Sequence, residues 1–369
     1  MTLETAPDGR RLALAGGQKR EVVEIGPAEA KKLPGHALPG VYVVGTGDSG
    51  VAKSFLVLAA AYFLVMLAAA LSYRLPAPGW QPTGWAPSVA ESKRQLVTTR
   101  HVDATEALRT PQFYLLWIVL CFNVTAGIGV LSVAKTMMGE IFHTSLPQIV
   151  TDPFSATYVL MISLFNMLGR FFWASASDYL GRKLTYAIFF GAGVALYLSI
   201  PWIAIQTSVS PGVTWLVLFY AVTMLIFTMY GGGFATIPAY LADLFGTRNV
   251  GAIHGRLLTA WSTAGVLGPL AITELRERSL LAAIENLART VSPARFAERF
   301  GAGLDQLPNL VEKKTVTIAK LLELAPPGTA DPSATLYNTT MFLMAALLAV
   351  GFVANALVRP VDPKHYLSE

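Results

Sequence analysis

The chain has 369 residues, of which 53% are hydrophobic and only 14% charged, and its mean hydropathy of +0.50 exceeds what one soluble core needs. Its formal charge of +5 comes without any cluster of Lys and Arg interleaved with aromatics, which argues against a nucleic-acid partner and for basic loops beside a lipid bilayer. The single Cys121 lies in an apolar block, so no intramolecular disulfide is available and cysteine usage says nothing about redox compartment.

Residues 1–52 are polar enough for an extramembrane N-terminal segment, and the first 30 carry charges throughout, so no cleavable signal peptide is expected. Near its end, Val41-Tyr-Val-Val-Gly45-Thr-Gly47-Asp-Ser-Gly50 is a β-like run followed by G-x-G-x-x-G, the spelling of a dinucleotide-binding turn. Context rejects that reading. The helix that follows is a membrane span, no returning strand completes a unit of about 30 residues, and no acidic residue stands about 20 residues on. No cofactor is expected.

Apolar blocks of about 20 residues, enough to cross roughly 30 Å of hydrocarbon, mark the spans. Seven are expected: Lys53–Tyr73, Gln112–Met137, Ser155–Ala174, Leu184–Ile205, Val213–Ala239, Val250–Thr273 and Thr335–Val358. The run from Phe55 to Met66 is apolar all round, and a bare strand would leave its backbone groups unsatisfied in lipid, so the fold class is an all-α membrane protein. Residues 53–73 form a lone span, and residues 74–111 a linker whose Pro- and Gly-rich part, Pro76–Trp85, excludes regular helix. Residues 112–369 are expected to form a six-helix bundle with a helical insert at about 274–334.

Arg182 and Lys183, Arg248, and Arg359 with Lys364 fall on one side of this scheme, which makes that side and the linker cytoplasmic. Connections near Gly139–Thr151 and Gln206–Gly212 carry no Lys or Arg and lie outside, as do the N-terminus and the insert. One span before a compact group of six is an odd inventory, and the sequence reads as cut from something longer.

The strongest local signal is Asn166-Met-Leu-Gly169-Arg170-Phe-Phe-Trp173-Ala174-Ser-Ala-Ser-Asp178-Tyr-Leu-Gly181-Arg182-Lys183, two spans joined by a very short basic turn. It resembles the signature loop of the major facilitator superfamily, with Ala174 where that pattern usually opens with Gly. In this loop Gly181 permits the tight turn, Arg182 and Lys183 are suited to anchoring in the headgroup region, and Asp178 offers a carboxylate to helix N-termini and nearby Arg.

Arg109-Thr-Pro111-Gln-Phe113-Tyr114-Leu-Leu-Trp117, Asn123-Val-Thr125-Ala-Gly127-Ile-Gly129 and Ile237-Pro238-Ala-Tyr240-Leu-Ala-Asp243-Leu-Phe-Gly246 are similar to the oxalate/formate antiporter family within it. The resemblance runs from about Gly40 to the C-terminus. It implies half of a major-facilitator bundle with seven transmembrane helices, the sixth to the twelfth of twelve. It further implies secondary active transport of a small organic anion such as a mono- or dicarboxylate, a bacterial inner-membrane location and an N-terminal half as partner.

Arg170 is the leading candidate for anion binding, because a guanidinium at membrane depth costs at least about 2.5–3.5 kcal/mol and faces a cavity or a partner. A snorkelling Arg, or one paired with Asp178, is the structural alternative. Asn123 and Asn166 join it as candidate substrate contacts, as does Trp261, which stands near where the family places a lysine. Thr125 and Thr263 are suited to hydrogen bonds across helices or to lining a cavity. Arg256 and Lys135 read as interface anchors, and Gly231–Gly233, Gly265 and Gly268 as close-packing points. Tyr114, Trp117, Trp215 and Tyr220 fit aromatic belts.

Two other function classes compete with transport. A seven-span receptor or a membrane scaffold without transport fits the topology, although the last span has no Lys for a retinal Schiff base. An intramembrane enzyme finds no support, because the chain has no H-E-x-x-H, no G-x-S-x-G and no His-rich metal spacing.

Overall fold

A computed structural model of the chain describes residues 3–5, 11–15, 18–26, 38–45, 50–74, 77, 80, 96–313 and 315–367. The chain divides into two compact units, Met1–Ala86 and Pro87–Glu369. The Pro- and Gly-rich heart of the expected linker and Gly47 of the G-x-G-x-x-G spelling lie outside the described residues.

The first unit corrects the all-α expectation. Strands β1 (Leu3–Thr5), β2 (Arg11–Ala15), β3 (Gln18–Ile25) and β4 (Gly40–Val43) form an antiparallel sheet in that order. Val22, Val23, Ile25, Val41 and Val43 are β-branched, a composition that favours a pleated surface, and the Val22↔Val43 pairing holds two of them opposite each other. Ala13 and Val22 are buried, while Arg11 and Glu24 pair on the exposed surface. Gly50, in the left-handed conformation at φ 72°, leads into α1 (Val51–Ser72). None of the residues of α1 is buried, as suits a helix apolar on every side.

The second unit holds α2 (Ala104–Ala107), α3 (Pro111–Phe142), α4 (Asp152–Leu180), α5 (Arg182–Val209), α6 (Val213–Phe245), α7 (Val250–Leu257), α8 (Thr259–Thr290), α9 (Pro293–Phe300), α10 (Leu307–Glu312), α11 (Ile318–Leu322) and α12 (Asn338–Leu357). The long helices alternate in direction. The α4–α5 turn, the α6–α7 turn and the C-terminal tail therefore meet at one end of the bundle. The opposite end gathers the α3–α4 connection, where Lys135 pairs with Asp152 at 3.6 Å, and the Trp202–Trp215 edge contact between α5 and α6.

Six helical segments among the described residues are long and apolar enough to cross a membrane: α1, α3, α4, α5, α6 and Pro332–Leu357, which contains α12. The expected span Val250–Thr273 has a different form. A turn at Leu258 separates α7 from α8, and α8 runs on to Thr290 with no break near Thr273. Ser262, Thr263 and Gly265 dilute its apolar character before the charges of Glu274, Arg276, Glu277 and Arg278 begin. The insert is thus partly a continuation of α8, with α11 packed against it.

Small residues set the helix spacing. A Cβ at Gly169 would drive into the Thr228 backbone, and one at Gly231 into the Asn166 carbonyl, so α4 and α6 touch backbone to backbone. Between α3 and α8, a Cβ at Gly268 would lie 2.9 Å from the Thr125 carbonyl oxygen. Gly265 departs from the packing expectation, because open space surrounds it. Buried aromatics fill the rest. Tyr186 donates its hydroxyl to Gly233 O at 2.6 Å and Tyr197 to Ala126 O at 2.9 Å, so these polar tips enter the core satisfied.

Candidate functional site

The short turn between α4 and α5 is made by Gly181 at φ 84°, whose N–H donates to Ser177 O at 2.9 Å. Only a glycine takes that backbone angle without strain. Arg182 follows and turns back, donating to Ser177 Oγ and to the Asp178 carboxylate one helical turn earlier. Its Nε also lies 3.7 Å from Asp243 Oδ2 on α6. Lys183 reaches the other way and donates to the carbonyls of Ala356 at 2.8 Å and Val358 at 2.7 Å, capping the C-terminus of α12. Asn355 answers by donating to Lys183 O at 2.9 Å and accepting from Tyr240. Both side chains are thus engaged within the protein, and that of Arg182 is only 15% exposed.

The last part of the expected linker, which leads into the bundle, docks beside this turn. Thr98 N–H donates to Asp243 O and Val102 N–H to Phe245 O, each at 2.9 Å. Gly246, at φ 79°, lies so close to the Arg100 carbonyl that no side chain fits. The tail closes over it through an antiparallel bridge between Val102 and Tyr366, and His365 Nδ1 sits 2.7 Å from Glu106 Oε1. That hydrogen bond lowers the pKa of the Glu106 carboxyl. Between these segments and the turn lies a cleft of about 550 Å³ lined by Arg182, Lys183, Asp243, Tyr240, Leu96 and Phe352.

Arg170 stands on an exposed face of α4. Its Nε donates to Asn166 Oδ1 at 3.3 Å, and its guanidinium carbon lies 5.5 Å from the centroid of the Phe234 ring on α6. Phe234 in turn meets Tyr230 at 5.2 Å and Trp261 of α8 at 5.9 Å, both edge to face. Arg170, Asn166 and Trp261 are thus brought to one face through Phe234, an aromatic that no sequence feature singled out. Asp178 pairs with Arg182 instead, and Arg170 has no carboxylate partner among the described residues.

Asn123 is placed elsewhere. It is only 6% exposed, and its amide nitrogen, without a hydrogen-bond partner, lies against Gly233. The hydroxyls of Thr125 and Thr263 bond back to their own helices, at Cys121 O and Thr259 O, and make no cross-helix bonds. Trp117 does bridge helices, donating Nε1 to Thr259 Oγ1 at 2.9 Å.

At the opposite end, Arg276 of α8 grips both oxygens of Glu140 on α3 and donates to the Tyr337 hydroxyl at 3.2 Å. The bond to Glu140 holds the Arg276 pKa above its ordinary value. Nothing local in the sequence marks this cluster.

Residues 43–269 match the family model described as Major Facilitator Superfamily. A curated relative, the oxalate:formate antiporter of Oxalobacter formigenes, is 32% identical over 188 residues, 49% of this chain and 40% of the relative. The chain thus spans well under two thirds of that relative's length. With the signature turn formed as above and six helical segments of membrane-crossing length, the chain belongs to the major facilitator superfamily and is an integral, multi-pass membrane protein of a family of secondary transporters, not of enzymes.

Proposed function

We propose that the chain supplies one six-helix bundle and a preceding helix to a secondary active transporter of a small organic anion, a mono- or dicarboxylate, in a bacterial inner membrane. In this reading α7 and α8 together make a seventh crossing, the spans correspond to the sixth through twelfth of a twelve-span protein, and the end bearing Arg182 is cytoplasmic. The observation that carries it is Arg170. A guanidinium eight residues before Asp178 stands about 12 Å along the helix from the turn. A charge at that depth, with no carboxylate partner, calls for a ligand of opposite sign.

Asn166 occupies Nε, which leaves the two terminal nitrogens for bidentate pairing with a carboxylate. Tyr230, Phe234 and Trp261 supply an apolar wall for the rest of the anion, and Asn123 is a further contact if the Gly233 packing opens. The relative, an oxalate:formate antiporter, is named for anions of this size.

The exposed face around Arg170 requires a second bundle, because alternating access rocks two bundles about a site between them. The experiment is carboxylate uptake into liposomes by this chain with a matching N-terminal bundle and without it. Saturable uptake is expected only for the pair, and Arg170→Gln is expected to abolish it. Unchanged uptake of every carboxylate by that variant refutes the assignment.

A further inference from the structure

The insert at the end opposite the signature turn encloses a cavity of about 900 Å³ that the transport reading does not use. Its walls come from the extended part of α8, from α10, from residues 316–319 and from Ser333 and Leu336. Ile284, Leu307, Ile318 and Leu336 are buried and give it an apolar floor. Four carboxylates line it, those of Glu140, Glu277, Glu285 and Glu312, against one cation, Arg276. Arg276 is already committed to Glu140 and Tyr337, and Glu277 lies 4.0 Å from it. Glu285 and Glu312 are exposed at the rim without an ion-pair partner among the described residues.

An occupant must suit both floor and rim. A lipid tail would cover the floor and leave the carboxylates unanswered, and an anion would be repelled. A cavity of this size is at the upper end of the range of about 300–1,000 Å³ in which small-molecule sites are found, apolar with a few placed polar groups. We propose that it binds an organic cation with an apolar body, a protonated amine on a hydrocarbon or aromatic frame, held by Glu285 and Glu312 above the apolar floor. This site is separate from Arg170 and takes the opposite charge.

Calorimetry on the full chain in lipid nanodiscs, at neutral pH and low salt, tests it with a matched pair of probes, 4-phenylbutylammonium and 4-phenylbutanoate. Saturable binding of the ammonium is expected, with none of the carboxylate and only unsaturable partitioning into empty nanodiscs. Glu285→Gln and Glu312→Gln are each expected to weaken it roughly fivefold, as partly exposed charge pairs do, and raised salt to weaken it as well. Both glutamates are exposed, so these variants leave folding intact. Equal binding of the two probes, unchanged affinity in the double variant, or no binding beyond that of empty nanodiscs overturns the proposal.

Discussion

Arg182 Nε lies 3.7 Å from the Asp243 carboxylate, while the other arm of the same guanidinium holds Asp178 one turn back along α4. One cation thus joins the end of α4 to the end of α6. Neutralising it as Arg182→Gln removes the link to both carboxylates, of which Asp243 is only 27% exposed, and is expected to cost about 1–3 kcal/mol. Arg182→Lys is expected to rescue little, since a single ammonium lacks the fork that spans both partners. Thermal unfolding in detergent is the measurement, and a double-mutant cycle with Asp243→Asn that shows no coupling would remove the claim.

Glycine substitutions separate close packing from mere occurrence in a span. Gly231→Ala places a methyl into the Asn166 carbonyl and is expected to prevent assembly of α4 on α6. Gly265→Ala meets open space and is expected to be tolerated, with a slight gain from higher helix propensity. Fluorescence-detected size exclusion of tagged variants distinguishes them, and equal yields of monodisperse protein would contradict the packing account.

The tail clasp is expected to weaken in acid. The hydrogen bond from His365 lowers the Glu106 pKa below its ordinary 4.5. A carboxyl with a depressed folded pKa contributes stability that is complete above the unfolded value and lost as pH falls through the lowered one. Limited proteolysis of the C-terminal tail from neutral pH into the acidic range should show cleavage rising below about pH 4.5. His365→Ala should cleave readily at every pH and flatten the dependence.

Topology follows from the alternation of the helices. Reporters fused after Ser145 and after Asp178 are expected on opposite sides of the membrane, the second on the cytoplasmic side. Agreement between the two reporters would invalidate the crossing of α4.

What the sequence determined by itself was local. Helices that cross lipid must satisfy every backbone group internally and stay apolar along their length, so α1, α3 to α6 and α12 could be read from runs of residues without any partner. The same holds for the turn at Gly181, because its backbone angle, the Arg182–Asp178 pair and the short connection all lie within a few residues. Arg170 stood out as a charge in an apolar run, but only the packing of α4 on α6 gave it Phe234 as a neighbour and linked it to Trp261.

The rest depended on tertiary structure. Arg276 and Glu140 are 136 residues apart, Tyr337 and Glu140 197, Lys183 and Val358 175, and no window of sequence contains both members of any pair. Asn123 was read as a candidate contact from its place in a span, and its facing, against Gly233, came only from helix packing. Of the N-terminal sheet, β4 was legible as the β-like run from Val41, and the rest escaped for a different reason. Its strands are short and half polar, and their stability comes from pairing with one another, which hydropathy along a single strand does not register.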